Sequence, residues 1–101
     1  MGRLYHPLGE ILDETTILKR SENAAFEVVA GEAILIRLDT GTYFSLNKVG
    51  TEFWEMLDGE QSLRDHAAAI AGKYDVDTAI VLDDLLELAG KMTDDDLVVK
   101  V

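Results

Sequence analysis

Residues 39–59 read DTGTYFSLNKVGTEFWEMLDG, and a change of period inside that stretch decides the fold. Up to Leu46 the pattern is that of a strand, with Tyr43 and Ser45 pointing one way and Phe44 and Leu46 the other. Asp39-Thr40-Gly41-Thr42 precedes it as a turn. Gly41 supplies the positive φ that a tight hairpin needs, so Thr42–Leu46 is expected to pair antiparallel with the run Ala33–Leu38. From Asn47 the period becomes helical. Asn47 is placed to act as N-cap, and Val49, Phe53 and Leu57 fall at i, i+4 and i+8 with Trp54 and Met56 beside them. Asp58-Gly59 then ends the helix with a residue suited to a left-handed cap.

Upstream, Thr15–Arg20 and Phe26–Ala30 are two more short β-like runs, separated by Glu22-Asn23 and closed by Gly31-Glu32. Residues 1–14, MGRLYHPLGEILDE, hold the chain's one proline, Pro7, and show no sustained alternation. They read as an arm whose Leu4, Tyr5, Leu8 and Ile11 are able to dock, leaving residues 15–101 as the domain. Downstream, Ser62-Leu-Arg-Asp65 is an Asp-ended form of the capping box. It opens a second helix with the stripe Leu63, Ala67, Ile70 and Tyr74. Tyr74-Asp-Val-Asp77 is the next break, and Asp77 caps a third helix running to about Met92. Asp94-Asp95-Asp96 is poorly matched to the negative end of a helix dipole. Leu97–Val101 reads as a short terminal strand. The expected class is α+β and winged helix-turn-helix-like: a small N-terminal antiparallel three-stranded sheet, three helices and a short last strand.

Composition narrows what such a domain does. The chain has 101 residues, 48% of them hydrophobic, which suits one domain with a modest core. Lys+Arg number 9 against 20 Asp+Glu, for a net charge of -11, and 13 of the acidic residues follow residue 50. A field of that sign opposes phosphate backbones and anionic membrane surfaces. Absence of cysteine removes disulfides, thiolate metal sites and a thiol nucleophile. No signal-like h-region or membrane-length apolar run is present, and a soluble cytoplasmic protein is expected.

Catalytic chemistry finds little to rest on. His6 and His66 are the two histidines, and neither has a partner at metal-ligand spacing. Asp94–Asp96 lacks the spaced glycine and bidentate Glu of a calcium loop and reads as a solvated turn. Trp54 reads as a core anchor, since Glu52 and Glu55 flank it where a base-stacking platform carries cations. The expectation is therefore no enzyme, no metal and no cofactor. The third helix sets Asp77, Asp83, Asp84 and Glu87 against Lys91 alone, the wrong sign for a DNA-recognition helix. Its apolar residues span an arc of roughly 160°, wider than the roughly 100° of a one-sided core helix. That width fits either a deeply buried helix or one whose Leu82–Leu86 edge lines a groove for an apolar ligand.

Taken in order, the glycine hairpin, Leu46-Asn47-x-x-Gly50 and Trp54-x-x-Leu57-x-Gly59 resemble the pattern of PqqD-like proteins. Ser62-Leu63, Lys73-Tyr74-Asp75-Val76-Asp77 and Asp84-Leu85 with Leu88, Met92 and Leu97 extend the likeness over roughly residues 15–100. The resemblance implies a non-catalytic peptide chaperone, a recognition element in the biosynthesis of ribosomally made, modified peptides. Such a protein binds the leader of a precursor peptide and presents it to a modifying enzyme, a radical SAM protein or a leader protease. It also implies that the leader adds as a strand beside the third helix, here along Thr42, Tyr43, Phe44, Ser45 and Leu46. Tyr43 or Phe44, Leu46, Leu82 and Leu86 are expected to grip apolar leader side chains, with Asp83, Asp84 and Glu87 selecting basic ones at the rim. An open strand edge also invites a homodimer. The competing reading is an acidic winged-helix interaction module in a regulatory complex, with no strand added.

Overall fold

The computed structural model describes residues 11–101. The docking side chains expected of Leu4, Tyr5 and Leu8, together with His6, lie outside the described residues. Elements follow in the order β1 (Leu18–Arg20), β2 (Ala24–Val29), β3 (Glu32–Arg37), β4 (Thr42–Ser45), α1 (Lys48–Met56), α2 (Leu63–Tyr74), α3 (Thr78–Asp94) and β5 (Val98–Lys100).

The three-stranded sheet is a meander in the order β2-β3-β4. Ala30 and Gly31 both take positive φ, 53° and 80°, and make the two-residue turn between Val29 and its partner Glu32. Gly41 (φ 71°) closes the second hairpin, where its N–H donates to the Arg37 carbonyl at 2.7 Å. The run Thr15–Arg20 stands apart from this three-stranded sheet. Only Leu18–Arg20 is extended, and it pairs antiparallel with β5, Leu18 against Lys100, as a separate two-stranded ribbon. The body also starts earlier than residue 15. Leu12 is fully buried, and Glu14 pairs with Arg64 of α2.

The helices form for local reasons. Asn47 accepts from the Gly50 N–H, Ser62 and Asp65 close a reciprocal capping box, and Asp77 accepts from the Ala79 N–H. Two ends differ from expectation. Helix α1 stops at Met56 with Leu57 extended as its cap, while Gly59 (φ 74°) serves the following turn and donates its N–H to the Leu18 carbonyl. Helix α3 runs on to Asp94 despite the unfavourable dipole. There Asp95 and Asp96 cap it through backbone bonds, and the Asp96 carboxylate accepts from Asn23 Nδ2 at 3.0 Å.

Phe53 and Trp54 of α1, Leu63 of α2, Leu85 and Leu86 of α3, Leu35 of β3 and Leu97 share one core. The sheet is sewn to it twice. Thr51, itself buried, accepts the Ala33 N–H at 2.7 Å, and the Arg20 guanidinium lies over the rings of Phe26 and Trp54.

Candidate functional site

Strand β4 is the last of its sheet, and among the described residues no strand covers its outer edge. The Leu46 N–H donates to the Ala33 carbonyl at 2.9 Å, and Phe44 and Thr42 stand opposite Leu35 and Arg37 in the same register. Because antiparallel bonds alternate, the main-chain groups of Tyr43 and Ser45 therefore face the open edge. Side chains alternate with them. Phe44 and Leu46 turn toward the core, and Tyr43, at 69% exposure, stands on the outer face.

Below that edge lies a groove of about 380 Å³. Ser45, Leu46 and Asn47 form one wall, Val49 and Gly50 of α1 the end, and Asp84, Leu85 and Leu88 of α3 the other wall. Gly50 is buried where the two walls meet. A Cβ there would stand 3.3 Å from Asn47 Oδ1, tight against the cap, and 3.5 Å from Leu88 Cδ2, in ordinary contact with α3. Half of the lining is aliphatic (Leu46, Val49, Leu85 and Leu88), and Asp84 adds an exposed carboxylate. An extended backbone laid along β4 would find unpaired N–H and C=O groups on one side and apolar side chains beneath.

Residues 32–98 match the sequence model of the family described as Coenzyme PQQ synthesis protein D, PqqD. The chain belongs to the PqqD family. The matched span starts at β3 and takes in β4 and all three helices, so the hairpin, the groove and the α3 wall lie inside the family's region. Among solved structures, TbiB1 in complex with the TbiA(beta) leader peptide is similar, with a TM-score of 0.72 and 30% identity over 79% of this chain and 93% of that one. Curated proteins provide no match.

Within this PqqD fold the expected residues separate. Thr42, Tyr43, Phe44 and Ser45 make β4, and Leu46 follows as groove wall. Leu86 is 1% exposed and sits in the core, and Leu82 and Asp83 are half-buried; none of the three lines the groove. The groove therefore uses the other edge of the wide apolar arc. Counted from Ile80 at about 100° per residue, Asp84, Leu88 and Leu85 fall near 40°, 80° and 140°, against about 200° and 240° for Leu82 and Leu86. Val49, Gly50, Leu85 and Leu88 were legible as apolar or small positions. Their meeting around one hollow depends on how α1 crosses α3.

Elsewhere the described residues contain no group of three His, Cys, Asp or Glu able to hold a metal. His66 is fully buried beside Phe53, ring edge to face at 5.8 Å, with neither ring nitrogen hydrogen-bonded. Burial pushes its pKa below 6.5, while Asp58 and Asp65 oppose that shift. It is a core residue. Trp54, also fully buried, anchors the core. No helix among the described residues is long and apolar enough to cross a membrane.

Proposed function

We propose that this chain is a non-catalytic recognition element of the cytoplasm that takes the leader of a ribosomally made precursor peptide as an added strand on β4 and presents it to a modifying enzyme, a radical SAM protein or a leader protease. The observation that carries this reading is the open edge of β4, whose Ser45–Leu46 end walls a partly aliphatic groove, in a domain of the PqqD family. The leader-bound state of TbiB1 supports it by likeness. Main-chain bonds from Tyr43 and Ser45 supply sequence-independent affinity, and the groove supplies selectivity. Alternate leader side chains then point down onto Leu46, Val49, Leu85 and Leu88. Thr42 and Phe44 hold the strand in register, Leu86 supports the α3 wall from beneath, and Leu82 flanks it. Asp84, with Asp83 and Glu87 on the same helix, favours Lys or Arg in the leader.

The test is a titration of the isotope-labelled chain with the leader of the short open reading frame nearest its gene. Resonances of Thr42–Leu46, Asp84, Leu85 and Leu88 are expected to move. Ser45→Pro removes an edge N–H where an edge strand tolerates proline, and is expected to weaken binding about tenfold or more while the domain stays folded. Binding that leaves β4 unmoved would replace strand addition with the acidic interaction module.

A further inference from the structure

Helix α1 borders a second hollow. On its flank toward α2, Glu52, Glu55 and Met56 face Ala69, Ile70 and Lys73 across a depression of about 340 Å³. Ile70 is nearly buried and Met56 half-buried, so the floor is apolar. The rim is not neutral. Lys73 donates to a Glu52 carboxylate oxygen, and the Tyr74 hydroxyl donates to the same oxygen at 2.9 Å. That carboxylate holds the Lys73 charge, and the pairing depresses the Glu52 pKa. Glu55 is exposed and enters no ion pair among the described residues, so the hollow presents one uncompensated negative charge over an apolar floor.

No strand edge borders this hollow. Both walls are helices, which offer no edge for an added strand, so an occupant is held chiefly by side chains. It shares no lining residue with the leader groove, which uses Val49 and Gly50 at the first turn of α1. Both can be filled at once, and a presenting protein needs two such surfaces. The net charge of -11 steers a basic surface toward the chain.

We propose that the α1–α2 hollow docks a basic segment of the modifying enzyme, one Lys or Arg side chain meeting Glu55 and an adjacent apolar side chain resting on Met56, Ala69 and Ile70. This rests on the leader-binding reading above. The experiment uses the full chain saturated with its leader and titrated with the purified enzyme that processes that precursor. Ala69 and Glu55 are exposed, so Glu55→Lys and Ala69→Arg are expected to keep the wild-type melting temperature. Each is expected to weaken enzyme binding about tenfold, and wild-type binding is expected to fall steeply with salt, while leader affinity stays within about twofold. Enzyme affinity unchanged in both variants, with leader binding intact, overturns the docking site alone. A wild-type chain that takes no leader overturns the leader reading and this inference together.

Discussion

The wing and the helical body of this domain are built to opposite standards of burial. In β2 no residue is buried, and Phe26, Val28, Val29, Ile34 and Tyr43 of the sheet all remain substantially exposed. Helix α3, by contrast, buries Val81, Leu85, Leu86, Ala89 and Met92. A packed interior has no room for a partner, and a half-covered sheet with an open edge does. The contrast teaches that the body is packed for stability while the three-stranded sheet keeps a face and an edge uncovered, with α1 as the seam.

The sharpest way to break that contrast is truncation on both sides of it. Leu86→Ala is expected to cost about 2–4 kcal/mol of unfolding free energy, because the α3 core cannot refill the lost volume. Tyr43→Ala on the wing's outer face is expected to cost no more than about 0.5 kcal/mol in the same denaturant titration. Comparable losses at the two positions would erase the distinction. At the seam, Thr51→Val strands the buried Ala33 N–H and is expected to cost about 1–3 kcal/mol. Amide exchange should then quicken in β3 and β4 before it does in α2. Uniform quickening would mean that the wing and body open as one unit.

A smaller effect sharpens the body's side. Burial lowers the His66 pKa, so the unfolded chain takes up this proton at higher pH than the folded one. The contribution of neutral His66 is fully present above the unfolded pKa near 6.5. It is lost as pH falls below that value, down toward the folded pKa. His66→Leu is expected to flatten this part of the stability–pH curve, followed by thermal melting between neutral pH and the carboxylate range. An unchanged slope in the variant would assign the acid sensitivity to the carboxylates instead.

What could be read from the chain in advance was local. The Gly41 turn, the Asn47, Ser62 and Asp77 caps and the change of period at residue 47 each depend on neighbours a few residues away, and each is present in the structure. Leu18 meeting Lys100 was not legible, because a three-residue strand carries too little pattern to name a partner at the far end of the chain. Gly59 read as a helix cap because a positive φ there serves a cap or a turn equally well. The α3 groove was half-legible. The arc was visibly too wide for a one-sided helix, yet nothing along it marked which edge the sheet would leave uncovered.

Sequence alone determined the order and type of the elements, the acidity that opposes nucleic acid, and the family likeness carried by Leu46-Asn47-x-x-Gly50 and Trp54-x-x-Leu57-x-Gly59. These follow from short-range sterics, hydrogen bonding and charge, which act within a few residues. Tertiary structure decided that Leu85 and Leu88 border a groove while Leu86, buried as deeply as Leu85, does not, that Thr51 closes the end of β3, and that α1 borders two hollows. Those outcomes depend on the angle and depth at which helices pack against one another and the sheet, set by the whole core at once.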